Sequence, residues 1–398
     1  MIQLYHLIFL EVSREGNFFI KEGHYGLMQI VKTDPILIGK CASTNPINNF
    51  HFKLDCYDDS GNKIGWIELN DTLFSPEYYS PTRFEVQGCS QKMALNAVFT
   101  QITPYGKDLG DRIDIPLPQK ILIGHRGWGK NAYQSDYLEN TMPSFEAAIS
   151  NGADFVEFDI QLSNENVPVI FHDFVMTLPE EQPDMPEPIA RNPDGSVNYS
   201  INQFTTQQFI DSGYFTQWKV QRDKFSTLMT DLPSKAMFDV EIKYPYDPKY
   251  IFQIPYVERN KFLNIVLKDM EQYGGDRKMF FSSFDPLVVA SLRLKQNKWP
   301  VYQLVEAIKG EDFSSKVKGL AALGQVLGYD GFVSDATDLL NNEALIPDLL
   351  NMGYVISTYG NYNVDEKQVR KQFLLKIRGI CTDNTTLVKK IINENKKI

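Results

Sequence analysis

Short apolar runs separated by turn-forming sequences occupy the first 105 residues, and no amphipathic helix interrupts them. Turn-forming residues are concentrated at Asn45-Pro46, at Asp59-Ser60-Gly61-Asn62 and at Ser80-Pro81. The runs typical of β-strands lie at 3–13, 24–33, 50–57, 63–70, 82–88 and 93–103. This pattern predicts an all-β domain built as an antiparallel sandwich. Because residues 104–119 are rich in Pro, Gly and Asp, we end this predicted domain at residue 118.

Beyond residue 119 the pattern changes to strand-like runs that alternate with stretches long enough to hold helices. The runs lie at 121–125, 155–162, 168–173, 236–242, 278–284, 301–305, 331–335, 354–358 and 379–383. Only the five residues 163–167 separate the second run from the third, and a parallel crossover needs a helix, so these two runs should form a hairpin. The eight remaining strands predict an α/β fold, a TIM (β/α)8 barrel over residues 119–398. We interpret the long, proline-rich segment 174–235 as an insertion over the barrel mouth.

The chain has 398 residues and a formal net charge of −10, and 43% of its residues are hydrophobic. This length and composition suit a globular protein of two domains. The acidic balance argues against nucleic acid as a partner, because non-specific binding to phosphates needs a basic surface. An acidic protein that binds an anionic substrate must therefore gather positive charge locally, through Lys, Arg or a metal ion.

Four cysteines, Cys41, Cys56, Cys89 and Cys381, form no CxxC pair and have no ligand-like spacing. We expect free thiols in a reducing compartment. The apolar start at residues 1–10 lacks a basic n-region and a cleavage site, so we interpret it as a strand. No stretch approaches the ~20 apolar residues of a membrane span. These observations predict a cytoplasmic protein with no transmembrane segment.

Two of the five histidines fall in the predicted barrel, and both lie at the ends of strands. His125 belongs to the sequence Gly-His-Arg-Gly after the first strand, and His172 lies at the end of the predicted hairpin. A single histidine at a strand end is more often structural than catalytic. Two at the C-terminal face, where barrel enzymes assemble their active sites, favour a pair that removes a proton from one oxygen and delivers one to another.

Acidic side chains alternate with apolar ones on two of the predicted barrel strands. Glu157 and Asp159 share one face of a strand, as do Asp239, Glu241 and Lys243 on the next. Carboxylates that converge repel each other unless a cation bridges them, although one of the first pair could instead be salt-bridged and the other solvated. Three carboxylates with no Cys ligand suit Mg²⁺ or Ca²⁺ better than zinc. With two histidines and basic side chains nearby, they suggest a phosphodiester site.

Five motifs, in order, resemble those of the glycerophosphodiester phosphodiesterase family over residues 119–388. They are IGHRGWGKN (123–131), the segment 138–174 beginning LENT and ending FHDF, FDVEIKYP (238–245), FSSFDP (281–286) and GICTDN (379–384). The long spacer between HRG and ENT, with the sequence LKQNKWPVYQL, looks more like the eukaryotic glycerophosphocholine phosphodiesterase branch. The resemblance implies metal-dependent hydrolysis of a glycerophosphodiester to sn-glycerol 3-phosphate and an alcohol such as choline.

The resemblance also implies roles for individual residues. It implies that His125 and His172 are an acid/base pair and that the metal ligands are Glu157, Asp159 and Glu241. It also implies that Arg126 and Lys243 contact the phosphate, and that Glu139 and Asn140 support the site. Asn140 could instead cap the helix expected to begin near Met142. Where the family pattern suggests Trp near the seventh strand, this chain has Tyr359, which can still offer an aromatic wall to a quaternary ammonium group. Trp128 and Trp218 are further candidates near the mouth.

The N-terminal domain carries fewer signals. Trp66 is its only tryptophan, so the paired platform of a starch-binding-like domain is missing. The cluster Asp55, Asp58 and Asp59 resembles part of the calcium loop of a C2-like domain, but it also reads as an ordinary polar turn, which we favour. Its ligand stays open among glycan, membrane and protein. Two alternatives to the phosphodiesterase also remain open: a lysophospholipase D-type enzyme and a catalytically inactive binding protein.

Overall fold

The computed structural model describes residues 5–15, 19–25, 28–32, 37–43, 51–70, 82–115, 118–131, 136–182, 184–245, 254 and 256–394. Within these ranges, no helix combines the length and the apolar character that crossing a membrane requires. The cysteines are all free, as expected, and all but Cys89 are buried.

Nine strands form two antiparallel sheets in the described residues of the N-terminal part. Their bounds are β1 Tyr5–Glu15, β2 Phe19–Ile20, β3 Gly23–Tyr25, β4 Met28–Lys32, β5 Leu37–Ser43, β6 His51–Tyr57, β7 Lys63–Asn70, β8 Thr82–Glu85 and β9 Ala94–Ile102. The larger sheet has the order β3-β4-β5-β1-β9-β8 and the smaller β2-β6-β7. Buried residues of both sheets, such as Leu54 and Leu95, belong to one apolar cluster. The predicted sandwich is confirmed.

Two strand predictions in this part were wrong. The run 24–33 is not one strand but the antiparallel pair β3–β4, in which Tyr25 pairs with Met28. Strand β5 was missed because its sequence, LIGKCAS, lacks the period-two alternation by which strands are recognised. It is instead stabilised by pairing with β1 and β4.

The polar sequence after β6 forms the turn of the β6–β7 hairpin. Oδ1 of Asp58 accepts hydrogen bonds from the backbone N–H groups of Ser60 and Asn62, at 3.0 and 2.8 Å. Because Asp58 closes the turn in this way, the geometry agrees with the turn interpretation that the sequence favoured over a calcium loop.

Eight parallel strands close into the predicted barrel, which is confirmed. They are β10 Ile121–Gly124, β11 Phe155–Leu162, β16 Met237–Ile242, β17 Met279–Ser283, β18 Val301–Val305, β19 Gly331–Asp335, β20 Val355–Tyr359 and β21 Gly379–Thr382. The order around the ring follows the chain, and pairing of β10 with both β11 and β21 closes it. Strand β12 (Pro168–Ile170) pairs antiparallel with β11, so the five-residue spacer forms the expected hairpin.

Ten helices accompany these strands, most of them around the barrel. They are α1 Met142–Ser150, α2 Thr206–Ser212, α3 Phe225–Asp231, α4 Arg259–Tyr273, α5 Pro286–Lys295, α6 Phe313–Leu327, α7 Ala336–Asn341, α8 Leu345–Asn351, α9 Glu366–Leu374 and α10 Thr385–Glu394 among the described residues. Segment 174–235 contains α2, α3 and a separate sheet formed by β13 Val175–Leu178, β14 Ala190–Arg191 and β15 Val197–Ser200. Short 3₁₀ helices lie at Ile201–Gln203, Gly213–Phe215 and Asn361–Val364.

Alternation along the barrel strands separates the apolar core from the polar centre. Phe158 points outward and is fully buried, with its ring centroid 5.7 Å from Phe145 and 5.4 Å from Phe238. Inside the barrel, below the mouth, Phe280 stacks on Tyr302 with centroids 4.4 Å apart. Because the neighbours of Phe158 in the chain point the opposite way, this packing directs Glu157 and Asp159 to the centre of the barrel.

Candidate active site

A cavity of about 610 Å³ opens at the C-terminal ends of the barrel strands. Among the described residues it is lined by His125, Arg126, Lys130, Glu157, His172, Asp173, Phe174, Val175, Thr177, Asp239, Glu241, Lys243, Ser282, Phe284, Leu304, Glu306, Val333, Asp335, Tyr359, Gly360, Asn361 and Cys381. Seven of the ten residues singled out from the sequence are in this lining. The other three, Asp159, Glu139 and Asn140, do not line the cavity, but each contacts a residue that does.

His125 follows β10, and its imidazole is held by a carboxylate from the other end of the barrel sequence. Nδ1 of His125 lies 2.7 Å from Oδ1 of Asp383, whose side chain is only 4% exposed. The backbone N–H of Lys130 also donates to this oxygen, at 2.8 Å. Burial opposes the charge of Asp383, but the hydrogen bond from His125 and the nearby Lys130 hold its pKa below the usual value. Asp383 was quoted only as part of a motif, although its place after the eighth strand was a signal.

His172 is returned to the mouth by the β11–β12 hairpin. The backbone N–H of Phe171 donates to the carbonyl of Asp159 at 2.9 Å, so His172 comes back beside a residue of β11. Its Nδ1 lies 2.6 Å from Oδ1 of Asp173, which is also hydrogen-bonded through its main chain to Gln161. The side chain of Asp173 is 71% exposed, so the carboxylate beside His172 is far better solvated than the one beside His125.

Glu157, Asp159 and Glu241 form a buried cluster in which one carboxylate oxygen of each lies within 4.8 Å of the others. Register explains the convergence, because Asp159 pairs with Glu241 on the neighbouring strand β16. Burial raises the pKa of Glu157 well above its usual value, and the charges of Asp159 and Glu241 raise it further. The cluster is therefore short of positive charge, as oxygen ligands of a divalent cation would be without their ion.

Lys243 and Asn140 stabilise the charge of Asp159. Nζ of Lys243 lies 2.9 Å from Glu241 and 3.9 Å from Asp159, and Nδ2 of Asn140 donates to Asp159 at 2.9 Å. Burial opposes the ionised form, but His172, Lys243 and Arg126 lower the pKa of Asp159 to about 2. Its other oxygen, Oδ1, has no hydrogen-bond partner among the described residues. A buried, ionised oxygen with no donor fits a metal ligand.

Arg126 adopts a left-handed backbone conformation, with φ 49°, that turns the chain across the cavity. Its backbone N–H donates to Glu157 at 2.7 Å, and its Nη1 donates to Glu139 at 2.9 Å. Glu139 also accepts from the backbone of Asn131 at 2.7 Å, which ties both ends of the loop together. Burial alone would lower the pKa of Arg126, but Asp159, Glu139 and Glu157 raise it above the usual value. Glu139 thus positions Arg126 instead of lining the cavity.

Asn140 does not cap helix α1, so the local interpretation of that residue was wrong. The N-cap is Thr141, whose side chain makes no capping hydrogen bond. The first backbone N–H of the helix, that of Met142, donates instead to Asp223 at 2.7 Å. The backbone of Asn140 has φ 58°, and its side-chain amide donates a hydrogen bond to Asp159.

Aromatic and acidic side chains form the opposite wall. Tyr359 lines the cavity as expected, and its ring meets that of Phe284 edge to face at 5.9 Å. Glu306 and Asp335, which the sequence analysis did not single out, lie on the same wall. Trp128 and Trp218, the other aromatic candidates, are absent from the described lining. Trp128 packs instead against Tyr137 and the apolar core.

Comparison with known proteins shows similarity over the barrel. The chain is 30% identical to the glycerophosphocholine phosphodiesterase of Schizosaccharomyces pombe, over 69% of this chain and 28% of that protein. It is 29% identical to the human glycerophosphocholine phosphodiesterase, over 66% and 43% respectively. The chain thus spans less than half the length of either relative. It is 26% identical to a glycerophosphodiester phosphodiesterase of Arabidopsis thaliana, over 73% of this chain and 85% of that protein.

Solved structures share the barrel fold. An Oleispira antarctica phosphodiesterase, in complex with the product sn-glycerol-3-phosphate, matches with a TM-score of 0.52 at 18% identity, over 70% of this chain and 97% of that one. A glycerophosphodiester phosphodiesterase of Parabacteroides distasonis matches with a TM-score of 0.51 at 15% identity, over 72% and 100%. The family model for glycerophosphoryl diester phosphodiesterases matches residues 125–387. This chain therefore belongs to the glycerophosphoryl diester phosphodiesterase family.

Proposed function

We propose that the protein hydrolyses glycerophosphodiesters, with glycerophosphocholine as its substrate, to sn-glycerol 3-phosphate and the free alcohol. One observation carries the proposal: His125 and His172, each held by a carboxylate at Nδ1, line one cavity beside a buried cluster of three carboxylates, two of which also line it. The names of the relatives from Schizosaccharomyces pombe and human support glycerophosphocholine.

Glu157, Asp159 and Glu241 are the residues that would hold a divalent cation, Mg²⁺ or Ca²⁺. Their donor set of three carboxylates is of the hard, oxygen-only kind that these ions prefer. When bound, such an ion neutralises charge on the phosphate and polarises its phosphorus–oxygen bonds. A cation is also needed on balance, because carboxylates outnumber Lys and Arg in the cavity lining.

The basic side chains orient the phosphate in this proposal. Arg126 and Lys243 line the cavity beside the carboxylate cluster, and both are fixed by ion pairs, to Glu139 and Glu241 respectively. Because their positions are set before substrate arrives, little side-chain entropy is lost on binding. Glu139 and Asn140 are positioning residues, which act through Arg126 and Asp159.

The two imidazoles move the protons. With Nδ1 of each ring donating to Asp383 or Asp173, Nε2 is the nitrogen available to the reactants. One imidazole accepts a proton from the attacking water as its oxygen bonds to phosphorus. The other donates a proton to the alcohol oxygen as the phosphorus–oxygen bond to the headgroup breaks. The hydroxyl of the water thus stays on the phosphate. The proton that the water loses to one imidazole is matched by the proton that the other imidazole gives to the alcohol.

Steady-state hydrolysis of glycerophosphocholine by the full chain tests this proposal. We expect activity with Mg²⁺ or Ca²⁺, loss of activity with a chelator and recovery on adding the ion back. His125→Ala should lower kcat by about 10²- to 10⁴-fold. His51→Ala is the matched control, because the side chain of His51 is 57% exposed and lies on strand β6 of the N-terminal sandwich. Equal rates for the wild type and His125→Ala would refute the catalytic assignment.

Two experimental outcomes would favour the alternatives. Turnover of lysophosphatidylcholine without turnover of glycerophosphocholine would identify a lysophospholipase D-type enzyme. Binding of glycerophosphocholine without any hydrolysis would identify an inactive binding protein.

The free thiols fit the cytoplasmic location that we also propose.

A further inference from the structure

The mouth of the barrel has a second charged wall, across from the carboxylate cluster and the histidines. Glu306 follows β18, Asp335 ends β19 and Tyr359 ends β20, and all three line the cavity. In the closed ring these strands lie opposite β10, β11 and β16, which carry the groups assigned to the phosphate. Two carboxylates at this wall repel a phosphate, whereas the basic side chains Arg126 and Lys243 lie on the other side, so the proposed phosphate position is there.

The second wall is built in fixed geometry. The hydroxyl of Tyr359 donates to Oε2 of Glu306 at 3.2 Å. Oδ1 of Asp335 accepts from the backbone N–H groups of Thr337 and Asp338 at 2.7 and 3.1 Å, at the start of helix α7. These bonds hold both carboxylates in place beside the ring of Tyr359 before any ligand binds.

One aromatic ring joins the two walls. The ring of Phe284 lies 5.7 Å from Nζ of Lys243 on the phosphate side and 5.9 Å, centroid to centroid, from Tyr359 on the other. A diester whose phosphate is near Lys243 therefore extends its alcohol along Phe284 toward Tyr359 and Glu306. The route is apolar in the middle and anionic at its end.

Neither carboxylate of the second wall has an ion-pair partner in the part of the chain that the structure describes. The nearby lysines are engaged elsewhere, Lys243 with Glu241 and Lys316 with Glu311, both at 2.9 Å. Burial accordingly raises the pKa of Glu306 and of Asp335. A cation brought in by the substrate would supply the missing positive charge.

We propose that Glu306 and Tyr359, together with Asp335, form a subsite for the positively charged end of a cationic alcohol, and that this subsite selects the headgroup of the diester. The inference rests on the proposed hydrolysis of glycerophosphodiesters and adds the residues that choose among them. A quaternary ammonium group suits it best, since it needs no hydrogen-bond acceptors and is attracted by aromatic faces such as those of Tyr359 and Phe284.

The test compares two diesters that differ in the charge of the alcohol, glycerophosphocholine and glycerophosphoglycerol. Glu306→Gln keeps the shape of the side chain and an acceptor for Tyr359 but removes the charge. We expect kcat/KM for the choline ester to fall about tenfold and that for the glycerol ester to change less than about twofold. Glu85→Gln is the matched control, because it removes an exposed carboxylate on strand β8 of the N-terminal sandwich, outside the described cavity lining.

Binding of tetramethylammonium, measured by calorimetry, gives a readout that does not need turnover. The wild type should bind it more tightly than Glu306→Gln, and Tyr359→Leu should weaken binding as well. Equal losses for both esters in Glu306→Gln, or none for either, would overturn the subsite. If the wild type hydrolyses no diester, the proposed function fails and the subsite is judged by binding alone. Equal tetramethylammonium affinities for wild type and variants would then refute it.

Discussion

Replacing Asp383 with asparagine removes one negative charge from beside His125 and changes little else. The carboxylate is 4% exposed and accepts from His125 at 2.7 Å and from the backbone of Lys130 at 2.8 Å. The amide oxygen of asparagine can still accept both hydrogen bonds, so the loop and the ring orientation should persist. What is lost is the stabilisation of His125 when the ring carries a proton.

The expected loss follows from this geometry. A hydrogen bond to a charged group is worth about 1.5 to 3 kcal/mol, and burial keeps solvent from screening it. Since 1.4 kcal/mol is a factor of ten, kcat for glycerophosphocholine should fall about 10- to 150-fold.

Asp173→Asn is the natural comparison. Asp173 makes a similar contact with His172, at 2.6 Å, but its side chain is 71% exposed. Solvent screening should limit its loss of kcat to less than about threefold. Both variants are assayed across pH with KM and thermal stability measured alongside. Equal losses of kcat in the two variants would show that burial of the carboxylate does not determine how much it contributes to the site.

Three further predictions concern stability, measured by urea unfolding. Burial raises the pKa of Asp223 to about 6, so the folded state holds this proton more tightly than the unfolded chain and stability is lost as pH rises from about 4 through about 6. As pH rises from about 5 to about 7, the free energy of unfolding of Asp223→Asn should therefore increase by about 1 kcal/mol relative to that of the wild type. A difference between the two proteins that stays constant over this pH range would contradict the prediction. Phe158→Ala should lower the free energy of unfolding by about 3 to 5 kcal/mol, because Phe158 is fully buried, and a loss below about 1 kcal/mol would refute the outward packing of β11. Gly360→Ala should destabilise the protein more than Gly310→Ala. Both glycines have positive φ, 98° and 93°, but only at Gly360 would the new Cβ lie 2.3 Å from Asp335. Equal losses of stability would show that backbone strain, and not the contact with Asp335, accounts for the effect.

The barrel could be predicted because its strands are short, mostly apolar runs separated by stretches long enough to hold helices. The spacer 163–167 then excluded a ninth parallel strand by length alone. Strand β5 could not be found in this way. It has no alternating pattern, and it depends on ladders with β1 and β4 that only the folded chain supplies.

The site was predictable where a motif placed chemistry at a strand end, and not where partners are distant in the chain. Asp383 meets His125 across 258 residues, so no local pattern connects them. Asn140 was open to a capping role because local rules allow one, whereas the structure uses its amide on Asp159. Glu306 was overlooked because a single acid after a strand resembles an ordinary solvated residue until its neighbours are known.

The β11–β12 hairpin makes the spacing between His172 and Asp159 a main-chain property. Strand β12 pairs with the last residues of β11, and the N–H of Phe171 then bonds to the carbonyl of Asp159. The imidazole of His172 and the carboxylate of Asp159 are thereby held at a fixed spacing by one pair of strands, with no helix between them. The tip of that hairpin, 163–167, lies beyond the paired strands. Lengthening or shortening the tip could alter its contacts with residues 203–206 of the insertion while leaving the spacing between His172 and Asp159 unchanged.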